Sequence, residues 1–396
     1  METVRGSTRL SSLDGLRGVA ALIVVVHHSL LVSPALAAAY YGGEIEGTLH
    51  RLAVYTPLHL LWGGKEAVVV FFVLSGLVLV MAMRSRSFDW FSYFPSRLVR
   101  LYLPVAGAVA VGALIMAIPS GSGPDSPWLQ RESGYPLASV LQDLTLVGGN
   151  SHVITPLWTL RWEIIFSLLL PVAAYSLRLI PAWAFGAVSI ALSVLGASQG
   201  VDALRYLPIF GLGVALAGEW DRIGRAIDRV PRRAAALAWP VVFALSLLLL
   251  SSYWMLKAYL GYVAAVTIAQ GPILVGAVVL IVAAAHWRPL ERLLSWRWIA
   301  LLGAISFSLY LVHEPIVLLV AHLSDSARLT LLIAVPASLV FAWMFWLVVE
   351  RPAHALARRV REHARGGSSD ALPTPGRHVA DARTRPVPVP HDARAR

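Results

Sequence analysis

An all-α protein that crosses a membrane about ten times is the fold class predicted by this sequence, and three observations predict it. Of 396 residues, 57% are hydrophobic and only 14% charged, with a mean hydropathy of +0.68, too little charge to clothe a soluble domain. Many apolar runs reach the roughly 20 residues needed to cross a bilayer core. The alternating apolar and polar dyads of a membrane β-barrel are absent from the sequence.

The expected spans are 18–38, 61–83, 98–118, 156–177, 182–198, 203–218, 234–254, 259–285, 299–322 and 328–349. The first follows Arg5, Arg9 and Arg17, and reads as a span rather than a leader because no convincing small-residue cleavage site accompanies it. Glu44 and Glu46 come after it, and Arg84, Arg86, Arg97 and Arg100 after the second. The third leads into the longest loop, 119–155, rich in Gly, Pro and Ser, carrying Asp125 and Glu132 and expected to cover a site. Arg178 follows the fourth span. The fifth and sixth are short and interrupted by glycine, so nine or eleven spans are also compatible; Asp202 lies between them. Arg222, Arg225, Arg229, Arg232 and Arg233 follow the sixth, and Arg288, Arg292 and Arg297 the eighth. Asp325 separates the last two, and Arg351, Arg358, Arg359, Arg361 and Arg365 close the series. Basic loops therefore alternate with acidic ones, and the positive-inside rule puts both termini in the cytoplasm of a cell, or inner, membrane.

Residues 1–365 are expected to form one integral-membrane domain, and 366–396, rich in Pro, Arg, Gly and Ser, a disordered cytoplasmic tail. No internal repeat is evident. With no cysteine, disulfides, thiolate metal sites and a cysteine nucleophile are excluded. The net charge of +11 lies in short loops beside apolar segments, so membrane lipids rather than nucleic acid are the expected surroundings. No metal and no tightly bound cofactor are expected.

Ionisable groups inside a membrane are costly, and each one in these spans poses a functional question. Arg17 and His28 are eleven residues apart, about three helical turns, so they share a face and lie roughly 16 Å apart along the axis. Arg97 and Arg100, three apart, share a face at the same boundary, with a fork geometry suited to phosphates. Glu163 enters the fourth span from the far side and calls for a cation or a histidine. Tyr310 and His313 share a face of the ninth. Each element also has an ordinary structural reading: a snorkelling arginine, a topology determinant, a Glu163–Arg161 pair at the interface, a buried histidine bonded to a neighbouring helix. Depth joins them. By helix rise His28 lies about 15 Å from the basic edge, and Glu163 and His313 about 20 Å. The polar inventory forms a basic mouth beneath an acid–base centre.

Leu13-Asp14-Gly15-Leu16-Arg17-Gly18 followed by His28 resembles the Arg-x10-His signature of the membrane acyltransferase-3 family, which includes O-acetylases of surface polysaccharides and macrolide acylases. Phe71 through Gly76, Arg97-x-x-Arg100, Trp158 through Glu163, and Ser306 through His313 are similar to its later motifs, in the same order, over about residues 10–352. The resemblance implies that His28 is the catalytic histidine, Arg17 its essential partner, and Arg97 and Arg100 donor-binding residues. Many members carry an acidic residue before the paired phenylalanines, where this chain has Val68, Val69 and Val70, with Glu66 nearby. Glu163 is followed by Ile164-Ile165-Phe166-Ser167 rather than a second glutamate and a tyrosine, so those roles do not transfer. No esterase-like domain follows the last span, and a two-domain relay is not expected.

The expected chemistry is O-acyl transfer, with acetyl-CoA or a longer acyl-CoA as donor co-substrate and a carbohydrate, lipid-linked sugar or secondary metabolite as acceptor. His28 is expected to act as base or as acyl carrier. Glu163 would orient the imidazole, and Tyr310, His313, Trp158 and Ser75 would line the substrate path. Ten spans with buried His and Glu also suit a proton-coupled transporter of a small molecule, or a non-enzymatic sensor.

Overall fold

A computed structural model describes residues 2–84, 88–118, 121–131, 134–146 and 150–369, with side chains from 11 to 364. The side chains of Arg5, Arg9, Arg86, Glu132 and Arg365, and the expected tail beyond Ser369, lie outside the described residues. Helices follow one another as α1 (Glu2–Leu31), α2 (Pro34–Ala37), α3 (Thr48–Tyr55), a 3-10 turn (Pro57–Leu61), α4 (Gly64–Met83), α5 (Trp90–Met116) and α6 (Leu137–Thr145). Then come α7 (Leu157–Leu179), α8 (Ala182–Gln199), α9 (Asp202–Asp228), α10 (Arg232–Leu250), α11 (Ser252–Lys257) and α12 (Tyr262–His286). The chain ends with α13 (Arg288–Leu294), α14 (Arg297–Ala304), α15 (Ser306–Ser324), α16 (Ala327–Phe345), a π turn (Trp346–Glu350) and α17 (Arg351–Ser369). There is no strand among the described residues.

Nine helical stretches among the described residues are long and apolar enough to cross a membrane, making this an all-α, multi-pass membrane protein. They match nine of the ten expected spans. The tenth is α9, whose ends carry Asp202, Arg205, Glu219 and Asp221, while its middle, Ile209 through Ala217, is buried among other helices. Boundaries differ where local chemistry intervenes. The first span ends at Leu31 instead of 38, because Ser33 is held extended (φ −78°, ψ 120°) before Pro34. The third begins at Trp90, where the Asp89 carboxylate accepts from Ser92 N at 2.7 Å. The expected 299–322 span is broken at Ile305 into α14 and α15. The last one runs on through the π turn into α17. At that turn Glu350 accepts from the backbone N and Oγ of Ser308, at 3.1 and 2.5 Å, so its carboxylate closes the first turn of α15.

Small residues set the helix spacing, as they do where lipid supplies no hydrophobic drive for helix association. At the α1–α14 crossing a Cβ on Gly18 would sit 2.5 Å from Gly303 N. At the α4–α9 crossing, a Cβ on Gly76 would sit 2.0 Å from the Phe210 carbonyl oxygen, and one on Gly213 2.1 Å from that of Val73. Seating α1 on α14 through Gly18 leaves another face of α1 for the interior. Arg17 and His28, about 20° apart around the helix, both lie on it.

The crossings give a paired expectation. Gly76→Ala destabilises by about 1–3 kcal/mol through overpacking and lowers the melting temperature of the purified protein, read by tryptophan fluorescence. Gly271→Ala, whose methyl meets only Val194 Cγ2 at 3.8 Å, leaves it unchanged or raises it.

Candidate active site

A cavity of about 400 Å³ opens at one end of the bundle between α1, α4, α5, α7 and α17. Arg17, Arg97, Arg100, Arg358 and Arg361 line it with His354, and Glu163 is the one carboxylate among its described lining residues. Spacing explains the convergence. Arg97 and Arg100 are three apart on α5, and His354, Arg358 and Arg361 recur at four and three residues on α17, so each set shares a face. Arg97 Nη2 donates to Glu163 Oε1 at 2.5 Å, and its Nε to Ser167 Oγ at 3.3 Å, with both charged side chains largely covered (13% and 17% exposed). That pair cancels its own charge. Among the described residues, Arg17, Arg100 and Arg358 form no direct ion pair, although Asp14 and Glu350 act on Arg17 and Arg100 from farther off, and Arg17 Nε is buried without a hydrogen-bond acceptor. A cavity so lined is made for a polyanion.

From the mouth a narrow cleft of about 40 Å³ continues into the bundle. Arg17, Ser75 and Glu163 line both cavities, and beyond them the cleft is walled by Phe71, Phe72, Phe307 and Tyr310. Tyr310 OH lies 3.0 Å from Thr159 Oγ1, and its ring is 6.2 Å from that of His313, on the next turn of α15.

His313 meets His28. His28 Nδ1 is 2.8 Å from His313 Nε2, the two rings lying 7° from parallel with centroids 5.0 Å apart. His313 Nδ1 is in turn 2.9 Å from the Leu309 carbonyl oxygen. A carbonyl can only accept, so His313 Nδ1 carries a proton, and in the neutral ring Nε2 is then an acceptor. His28 Nδ1 must therefore donate. The neutral His28 ring is left with a bare lone pair on Nε2, the state required of a base or a nucleophile. The neighbouring His27 is occupied otherwise, its Nδ1 bonded to the Trp62 carbonyl at 2.9 Å.

The long loop between α5 and α7 closes the other side of the pair, as expected of it. Trp128 stacks on His28 at 5.7 Å and 20°. Arg131 lies over the Trp128 ring at 4.9 Å, and its Nη2 donates to Glu314 Oε1 at 2.7 Å. Glu314, fully buried on α15, also accepts from Thr155 N (2.6 Å) and Oγ1 (2.5 Å), while Ser126 Oγ donates to the Leu31 carbonyl at 2.6 Å. The loop is thus pinned to both helices that carry the histidines. Trp128, Arg131, Thr155 and Glu314 were not singled out from the sequence. Glu314 alone gave a usable signal, as an intramembrane carboxylate next to His313.

One expectation is corrected by this geometry. Glu163 does not orient the imidazole; Arg97 and Ser167 hold it in the mouth, and His313 stands where it was expected. Nor does it pair with Arg161, which lies over the Trp162 ring at 5.3 Å. Ser75 lines mouth and cleft, and Tyr310 lines the cleft. Trp158 is elsewhere, in a separate chamber with Lys65, Glu66 and Arg205.

Arg131→Gln leaves the Glu314 carboxylate buried without its cation, and should cost about 3 kcal/mol or more of stability. Adding Glu314→Gln should restore part of that loss in a thermal-unfolding double-mutant cycle, and near-additive losses would show the pair to be uncoupled.

An acyltransferase domain model matches residues 10–347, from just before Arg17 to the π turn. No curated protein and no solved structure matches the chain. With a family match across nearly the whole helical bundle, this chain belongs to the membrane acyltransferase-3 family and is an O-acyltransferase.

Proposed function

We propose that the chain transfers an acetyl or other acyl group from acyl-CoA to a hydroxyl of a carbohydrate, lipid-linked sugar or secondary metabolite, using His28 within the cytoplasmic membrane. The reading is carried by the hydrogen-bond line from the Leu309 carbonyl through His313 to His28, which leaves Nε2 bare, while the cleft from the polybasic mouth reaches Tyr310, 6.2 Å ring to ring from His313. With both termini cytoplasmic, the mouth faces the compartment that supplies acyl-CoA. Arg17, Arg100, Arg358 and Arg361 hold its phosphates, and the pantetheine arm enters the cleft past Ser75 toward Tyr310.

In direct transfer, His28 Nε2 takes the proton of the acceptor hydroxyl as its oxygen attacks the thioester carbonyl. The tetrahedral intermediate expels the coenzyme A sulfur, which leaves with the proton from His28. In a relay, Nε2 itself attacks and the coenzyme A thiolate leaves first; the acceptor hydroxyl then attacks the acyl-imidazole, its proton passing to the freed Nε2 and on through solvent to balance the thiolate. His313 serves both in the same way: it fixes the tautomer and shares the positive charge that His28 acquires. Trp128, stacked on the ring, excludes water that would hydrolyse the donor. Polysaccharide O-acetylation is one reaction of this type.

Three variants test the reading with purified protein and labelled acetyl-CoA. His28→Ala lowers transfer by about 10³-fold, and near wild-type rates would remove the central claim. His313→Phe keeps the ring and removes the acceptor nitrogen, lowering kcat by about 10²-fold with donor KM unchanged. Arg100→Gln raises donor KM by about tenfold and spares kcat.

A further inference from the structure

At the other end of the bundle from the mouth is a second polar cavity, of about 70 Å³, between α4, α7, α9, α11 and α12. Lys65 lines it and Ala82 lines the mouth; they are seventeen residues apart on α4, about 25 Å by helix rise. Aromatic faces make up much of the chamber wall: Trp158, Tyr206, Tyr253 and Tyr262. Trp158 and Tyr206 lie 4.9 Å apart, and Tyr262, 58% exposed, marks the open rim. Three charged side chains join them, Lys65, Arg205 and Glu66, with a net charge of one positive.

Two of these charged groups are incompletely satisfied. Glu66 is 96% buried; its Oε1 accepts from Trp254 Nε1 at 3.1 Å, but its Oε2 has no partner. Arg205 lies over the Tyr206 ring at 5.4 Å, and its Nε is buried without an acceptor. Buried polar atoms are rarely left unpaired without reason; both residues line this chamber, with Glu66 Oε2 itself turned toward Gly63. An acceptor for Arg205 must bring negative charge or a strong lone pair, and a partner for Glu66 must bring a hydroxyl or amide donor. Aromatic walls supply flat apolar faces for a ring between them. The chamber also adjoins the cleft: Val68 and Phe72 line both, and the Phe72 ring is 6.1 Å from Trp158.

We propose that this chamber is the acceptor site, and that it takes a hydroxylated ring bearing an anionic group, a carboxylate or a phosphate. The ring stacks on Trp158 and Tyr206, Arg205 and Lys65 hold the anion, and Glu66 accepts from a ring hydroxyl. Donor and acceptor enter from opposite ends and meet across the wall formed by Val68 and Phe72. The assignment rests on the acyl-transfer reading above, but its test does not require turnover.

The full chain in lipid nanodiscs is titrated with methyl glucuronide, with glucose phosphorylated at its anomeric carbon, and with neutral methyl glucoside, read by saturation-transfer NMR. At least one anionic probe binds about tenfold more tightly than the neutral one, as one charge-assisted hydrogen bond provides. The tighter of the two anions identifies a uronate or a phosphate-linked sugar as the source. Arg205→Gln and Lys65→Gln each remove most of the preference, while Arg100→Gln in the mouth leaves it intact. Equal binding of all three probes, or a preference that survives in the first two variants, overturns the proposal. Melting temperatures of the variants identify any loss due to misfolding, and Lys65→Gln, at a residue exposed to the chamber, decides the outcome if Arg205→Gln fails to fold. A chain that never turns over acyl-CoA would instead defeat the function proposed above.

Discussion

A proton on His313 Nδ1, held by one backbone carbonyl, sets the state of everything beside it. In water an imidazole exchanges tautomers freely, and its neighbours adjust. Inside an apolar bundle there is no such freedom, because each buried donor needs a fixed acceptor. The Leu309 carbonyl decides the form of His313, His313 decides that of His28, and the parallel rings leave one lone pair facing outward from the line. The surrounding structure follows from keeping this line in register. Glycines seat α1 on α14, Glu350 closes the start of α15, and the Arg131–Glu314 pair clamps Trp128 over the result.

The mouth is governed by a different balance. A cluster of guanidiniums at the edge of a low-dielectric bundle repels itself, and the protein moderates this with one direct ion pair, Arg97–Glu163, while Asp14 and Glu350 act on Arg17 and Arg100 through space. Glu163 neutralises Arg97 and leaves the other arginines to a guest. Had Glu163 reached the histidines instead, His313 would have had a competitor and the mouth a fifth uncompensated cation. One placement serves both sites, and the family match covers α1, α4, α5, α7 and α15 but stops before α17.

Much of this was legible in the linear chain. Apolar runs gave about ten long helices, among them the short, Gly-interrupted segment that became α9, whose charged ends keep it below the hydropathy of the other nine. The Arg17–His28 spacing put both groups on one interior face because helix geometry is local. Contacts between distant segments were not legible. Arg131 and Glu314 are 183 residues apart, and nothing in either neighbourhood names the other. Arg358 and Arg361 read as topology determinants, since a basic stretch after a last span is what orientation demands, and His354 drew no notice; only the turn of α17 back onto α5 makes them part of a cavity. Glu163 was expected at the depth of His313 and stands instead in the mouth against Arg97, because helix rise counted along one span fixes neither its tilt nor the neighbour across from it.

The constriction between the mouth and the histidines bears on the host as much as on the reaction. A bundle hollowed from both faces is one partition away from being a pore, and a continuous water column would let protons short-circuit the energy stored across the bilayer. Phe71, Phe72 and Phe307 wall a cleft of about 40 Å³, which narrows the passage to little more than a single file of water. In an energised membrane such a constriction would guard the electrical insulation, so enlarging it to admit bulkier cargo would trade catalysis against leakage.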